Sequence, residues 1–320
     1  MILTVSFEGE DHSVRVHDYF KKHNRDFLLL DLANFPLNAA LDIIWSDLEE
    51  SYSINLFEGK SSSLTNVGVG WWRRVRPFSI GMNDSQSSFP GFRNSETSQA
   101  VNGLLNILPC EWVNPRKEDE IAHNKPYQWS VARSIGLKLP RTLVTNNPHS
   151  AKQFIEELGI GNVVYKAFLA STQAWRETRL VRKEDLNLLD HVKYAPVIFQ
   201  EYISGIDLRI TIVGDKIFAA SIDASKTSYP VDMRMAIGET SIEKIQLPKT
   251  LEKKLLKLQN ILGLQYGAID MRKTEKGDYI FFEVNPAGQW LFIEDNTGYP
   301  IAENVAQLLM GKDDEYRIRT

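Results

Sequence analysis

The sequence holds a single cysteine, Cys110, among 320 residues. That excludes an intrachain disulfide framework and suggests a reducing compartment. No basic residue stands beside Cys110 to activate it, so the thiol reads as structural. The six histidines are scattered, with no His-x-x-x-His or Cys–His cluster, which argues against a zinc site. Positive charge is not in excess: 37 Lys and Arg stand against 41 Asp and Glu, a net charge of −4. This excludes the strongly basic footprint of a nucleic-acid binder while leaving room for a local basic cleft. No stretch approaches the ~20 apolar residues of a membrane helix. The opening Met-Ile-Leu-Thr-Val-Ser-Phe-Glu lacks the basic start and longer apolar core of a signal peptide, and reads as a strand. A soluble, cytoplasmic protein with no nucleic-acid or membrane partner is the expectation.

What is present is ordinary for a globular chain, with 43% hydrophobic and 24% charged residues. The length allows two or three packed units. Ile2 to Phe7, His12 to His23 and Phe27 to Leu32 read as strand, helix and strand, a βαβ unit that implies a small parallel sheet. Gly-x-Gly-x-x-Gly is missing between that strand and helix, so a dinucleotide site there is not expected. Asn83 to Ser98 reads as an exposed loop and Glu96 to Leu108 as a helix, with a domain boundary near 118. Beyond it come a helix from Tyr127 to Ile135, a strand from Thr142 to Thr145 and a helix capped at Ser150. Strands follow at Val163 to Phe168 and Val197 to Glu201, then a hairpin turning at Gly214-Asp215. An amphipathic helix from Leu251 to Leu262 precedes a last hairpin, Tyr266 to Asn285.

That last hairpin is the most informative segment. Folded about Lys276-Gly277, it sets Asp270 opposite Glu283, and the period of two puts Asn285 on the same face. Like charges directly opposite one another are destabilising, so two acids and an amide there need a partner. A hard cation such as magnesium, completed by nucleotide phosphates, is one; a solvated face of ordinary ion pairs is the other. Lys166 lies in an otherwise apolar strand, where it either meets a phosphate or snorkels from an edge. Lys125, just before Pro126 and a helix, carries the same two readings. The extended run Glu201-Tyr202-Ile203 offers backbone groups to a flat heterocycle, and Asp207 offers an acceptor to ribose hydroxyls.

In this order and spacing, Lys125, Lys166, Glu201-Tyr202-Ile203, Asp207-Leu208-Arg209, Asp270 and Glu283-Val284-Asn285 resemble the ATP-grasp superfamily over roughly residues 120 to 300. The resemblance implies an α/β fold of three parts: a βαβ pre-ATP-grasp domain (1–118), a central subdomain (119–200) and a C-terminal subdomain with an antiparallel sheet (201–320). It implies ATP and Mg2+ as cofactors. Lys125 and Lys166 would contact phosphates, Glu201 to Ile203 line the adenine, Asp207 hold ribose, and Asp270, Glu283 and Asn285 bind magnesium. The implied reaction converts a carboxylate to an acyl phosphate that a nucleophile then captures, with Arg209 steadying the acyl phosphate. Trp71-Trp72-Arg73-Arg74, Trp175-Arg-Glu-Thr178-Arg179 and Asp232-Met-Arg234 are similar to the graspetide (microviridin-type) peptide-macrocyclising ligases. That likeness implies a ribosomal precursor peptide as partner, with Arg234 binding its acidic side chain and Asp232 deprotonating the attacking group. Trp72, Arg73, Arg74 and Arg179 become candidate peptide-binding residues, although a buried Trp pair beside arginines is an equal reading of the first three. A homodimer belongs to the same implication. Two alternatives stay open: a ligase that adds glutamate or another amino acid to a protein terminus, and an ATP-binding regulator without turnover.

Overall fold

The computed structural model describes residues 1–48, 50–56, 60–79, 89–168, 178–224, 238 and 240–319. The chain divides into two compact units, Met1–Asp119 with Pro300–Thr320, and Glu120–Tyr299.

The first unit opens with β1 (Ile2–Val5), α1 (Asp11–Lys22) and β2 (Phe27–Leu30). It continues through β3 (Ala39–Trp45), β4 (Glu50–Leu56), β5 (Lys60–Ser63), β6 (Val69–Trp72), α2 (Pro90–Ile107) and β7 (Glu111–Val113). The expected parallel sheet is there, in the order β2-β1-β6-β7. Alternation along β1 sends Leu3 and Val5 into a core with Leu104 and Leu105 of α2. Thr4 faces the other way and meets His17 of α1 at 3.0 Å. Glu10 caps α1, accepting from the Ser13 amide at 2.8 Å and its hydroxyl at 2.7 Å. Burial by itself would raise the Glu10 pKa; hydrogen bonds from His12 and Ser13 and the Arg73 charge outweigh it and hold the carboxyl well below the usual range.

Two expectations change in this unit. α2 starts at Pro90, so residues 90–98 are helical rather than loop, with proline in the first turn, where its missing N–H costs nothing. The antiparallel sheet β3-β4-β5 is an addition to the sequence reading.

The division between the units falls within α3 (Arg116–Ala122). The second unit holds α4 (Lys125–Ser134), β8 (Thr142–Thr145), α5 (Pro148–Leu158), β9 (Val163–Lys166), β10 (Arg179–Leu180) and β11 (Val197–Glu201). Then come β12 (Ile206–Val213), β13 (Lys216–Asp223), β14 (Ser241–Lys244), α6 (Lys249–Ile261), β15 (Tyr266–Lys273), β16 (Tyr279–Asn285) and α7 (Leu291–Thr297). The cap of α5 is Asn147, whose side chain accepts from the amides of His149 and Ser150, not Ser150 as the sequence suggested. Pro148 occupies the first helical position behind it.

Two antiparallel sheets organise this unit, β10-β9-β11-β8 and β14-β13-β12-β15-β16. α5 covers the first through Ala151 and Ile155, which pack with Val163 and Phe199. α4 and α6 cover one face of the second, where Val131, Leu255 and Leu258 meet Leu208, Ile210, Ile269 and Phe281. That leaves alternate residues of β12 and β15 on the opposite face. The chain closes with α8 (Ile301–Arg319), which the sequence reading placed in the 201–320 subdomain. Its contacts are with the first unit: the Met1 ammonium donates to Asp313 at 2.8 Å, and Arg25 pairs with Asp314. Among the described residues no helix is long and apolar enough to cross a membrane.

Candidate active site

The exposed-side face of β12 and β15 begins as a pattern of charge. Antiparallel pairing sets Asp207 against Arg272 and Arg209 against Asp270. Arg209 donates to Asp270 at 2.7 Å and to the Gln289 carbonyl at 2.9 Å. Arg272 donates to Asp207 at 2.8 Å and to the Ile203 carbonyl at 2.7 Å. Both arginines are buried. Buried charges must be paired to be tolerated, and here each is.

The hairpin register is the expected one: Asp270 faces Glu283, with Asn285 one non-adjacent pair along, opposite Ala268. The pairing slips between Asp270 and Met271, leaving Phe282 as an extra residue on β16. The bulge turns Phe282 toward the same cleft as Glu283, while Phe281 and Val284 stay in the core.

α4 brings Lys125 to this hairpin. Its Gln128 side chain bonds both backbone groups of Val284, donating to the carbonyl at 2.8 Å and accepting from the amide at 2.9 Å. Trp129 donates to the Phe282 carbonyl at 2.8 Å. With the helix fastened along β16, Lys125 in its first turn forms an ion pair with Glu283.

Beside this hairpin opens a cleft enclosing about 710 Å³ of space counted out to open solvent; Lys125, Arg209 and Asn285 are not among its lining residues. Lys166, Glu201, Tyr202, Ile203, Asp207, Asp270 and Glu283 all open onto it. Lys166 donates to Gln200 at 3.1 Å and stands 5.9 Å from the Phe282 ring centroid. Gln200, buried and donating in turn to Thr142 at 2.9 Å, fixes that lysine and was not picked out in the sequence. Nor was Arg272, whose only sequence signal is its place two residues after Asp270 on an alternating strand.

The donor set fits magnesium by its chemistry: two carboxylates and one amide oxygen, with Asp270 and Glu283 each about one quarter exposed. The Asn285 oxygen already accepts from the Ala287 amide at 3.0 Å, which orients it. Among the described residues there is no group of three or more His, Cys, Asp or Glu side chains that could hold a metal.

The remaining candidates are dispersed. Asp232 and Arg234 lie outside the described residues, as do Trp175 to Glu177. Trp72, Arg73 and Arg74 belong to the first unit. Arg73 is buried against Glu10, 3.4 Å away, and Trp72 meets Trp112 edge-on with Arg116 over its ring. Arg74 and, in the second unit, Arg179 are exposed.

The RimK-like ATP-grasp domain family matches residues 122–309. The structure of the macrocyclase MdnC bound with precursor peptide MdnA, from Microcystis aeruginosa MRC, superposes with a TM-score of 0.84 at 31% identity, over 97% of this chain and 99% of that one. A RiPP-associated ATP-grasp ligase from Chryseobacterium gregarium, in complex with ADP and a leader and core peptide, gives 0.86 at 26% identity, over 97% and 96%. A probable alpha-L-glutamate ligase of Aliivibrio salmonicida is 26% identical over 207 residues, 62% of this chain and 66% of that protein. The chain spans just under two thirds of the length of the first such curated relatives.

Proposed function

The chain belongs to the RimK-like ATP-grasp family, and on that premise we propose that it is an ATP-dependent ligase closing side-chain ester or amide bonds in a ribosomally made precursor peptide. The observation that carries this is a single cleft gathering Lys166, the Glu201–Ile203 connection, Asp207, Asp270 and Glu283. Whole-chain likeness to a peptide macrocyclase supports the substrate class, because the match runs through both units rather than the ATP-grasp part alone.

In this reading Asp270, Glu283 and Asn285 hold Mg2+, Lys125 and Lys166 meet the phosphates, and Asp207 serves the ribose. ATP supplies the γ-phosphoryl group that gives a peptide carboxylate a leaving group. The chain then positions reactants and neutralises charge, as phosphoryl transfer requires. Arg209, held rigid between Asp270 and Gln289, offers a fixed positive charge where negative charge accumulates on the acyl phosphate. Arg234 would bind the acidic side chain and Asp232 take the proton from the attacking hydroxyl or amine. ADP leaves in the first step and phosphate in the second, so the peptide ends one water lighter per bond. Arg74 and Arg179, both exposed, are the better candidates of the peptide-binding set, and a homodimer is the assembly proposed with it.

The test is the intact mass of the small peptide encoded beside the gene after incubation with enzyme, ATP and magnesium. Loss of one water per bond, abolished by Glu283→Gln, is expected. A second reading is favoured by the glutamate-ligase relative: mass gain by an amino-acid residue would establish it. An unchanged peptide with nucleotide bound and no peptide-stimulated hydrolysis would point to a regulator without turnover.

A further inference from the structure

Arg272 sits where three parts of the second unit converge. Its side chain, with 7% of its surface exposed, places Nε and Nη2 at 2.8 and 2.7 Å from the Asp207 carboxylate at the start of β12. Nη1 donates to the Ile203 carbonyl at 2.7 Å. The guanidinium lies 5.8 Å from the Tyr202 ring centroid and 5.6 Å from that of Phe282, within range of cation–π attraction to both. The segment it grips, residues 202–205, is the link between the two sheets of the unit. The near end of that link is fastened to the first sheet: the Glu201 amide donates to the Arg141 carbonyl and the Tyr202 amide to the Asn162 carbonyl, both at 2.8 Å. The far end is pressed on β15. Gly205 has φ +148°, and a Cβ there would lie 2.2 Å from the Lys273 carbonyl oxygen.

We infer that Arg272 is a positioning residue for the nucleotide: itself on the lining of the cleft, it fixes the link that forms one wall by gripping the Ile203 carbonyl and the Asp207 carboxylate. The inference rests on reading the cleft as the nucleotide site. A planar fork is needed for this task, because one cation must bond a carboxylate and a backbone carbonyl in different directions while stacking between two rings. Lysine, a point charge on a flexible stem, satisfies only part of it. The consequence is selective. Loosening the wall weakens nucleotide binding but leaves the metal carboxylates Asp270 and Glu283, and the peptide, where they are.

The experiment uses the full chain with its peptide, ATP and magnesium, and compares Arg272→Met, Arg272→Lys and Gly205→Ala with the parent. Arg272→Met is expected to raise KM for ATP about 10–100-fold, the loss of a charge-assisted contact. At saturating ATP its kcat stays within about threefold and KM for peptide does not move. Arg272→Lys recovers part of the loss. Gly205→Ala shifts the same link without touching charge and raises KM for ATP in the same direction. Should Arg272→Met fail to fold, the other two variants decide. An unchanged KM for ATP, or a kcat that falls alone, would overturn the inference. Calorimetric titration of the parent with ADP separates the two levels: no binding by the parent sinks the nucleotide reading and this inference with it, whereas parental binding that the variants retain in full sinks this inference alone.

Discussion

Arg209 and Asp270 stand directly opposite one another on adjacent antiparallel strands and are bridged at 2.7 Å. Two residues along each strand the pair recurs with its charges exchanged, Asp207 against Arg272. The two Asp-x-Arg triplets, 207–209 and 270–272, therefore neutralise each other as a unit. Replacing Arg209 by Asp sets two carboxylates face to face on a largely buried surface and should lower stability by about 3–5 kcal/mol. Adding Asp270→Arg restores opposite charges and most of that stability, yet leaves no acid at 270 for a cation. Urea midpoints should recover in the double variant while peptide mass stays unchanged; recovery of both would remove Asp270 from the metal set.

Gly288 gives a second route to Arg209. A Cβ at 288 would lie 2.4 Å from the Ala268 Cβ and 2.9 Å from Nη2 of Arg209. Gly288→Ala should displace that guanidinium, costing about 1–3 kcal/mol in strain and at least about tenfold in turnover. Thermal unfolding and peptide mass read the two losses separately, and a variant with parental turnover would show that Arg209 need not be held there.

The carboxylate pair was legible because folding about Lys276-Gly277 gives the register found beyond the bulge; the turn itself pairs Lys273 with Tyr279, and only the extra Phe282 brings Glu283 opposite Asp270. Arg272 was not, because a lone strand arginine has no signature until its partner strand is known. The Phe282 bulge was equally hidden: strict alternation would have put Phe282 and Glu283 on opposite faces. The sheet of β3 to β5 escaped for another reason. Its serines at 51, 53 and 61 to 63 give little of the apolar alternation that marks a strand. The packing of α8 with the first unit was not legible either, because sequence adjacency cannot show that Asp313 meets the Met1 ammonium.

Stability should fall with acid in a defined window. Burial, then the Lys21 charge, brings the His17 pKa down from 6.5 to about 4. Between those values the unfolded chain holds a proton that the folded protein refuses, so stability is full above pH 6.5 and declines toward pH 4, by about 3 kcal/mol in all. His12, also lowered chiefly by burial, acts with the same sign. Glu10, lowered from 4.5, loses its contribution only below that pH, outside most of this window. Urea midpoints from pH 7 to 4.5 should fall for the parent and fall less for His17→Gln; parallel slopes would remove His17 as a cause.

Cys110 should be inert while the protein is folded. Burial pushes its pKa up to about 12, leaving almost no thiolate at pH 8. Labelling by an aromatic disulfide reagent should run at least about a hundredfold faster in urea than in buffer. Equal rates would mean that the thiol is open to solvent.

The amide of Gln128 does more than hold a helix. β16 is the outer strand of its sheet, and such a strand offers unpaired donors and acceptors on which another chain can add. By bonding both the N–H and the C=O of Val284, Gln128 imitates the next strand for one residue, and Trp129 takes the Phe282 carbonyl beside it. The stretch of strand that carries the cleft's Glu283 therefore presents no open backbone group at Val284 or at the Phe282 carbonyl for another strand to pair with.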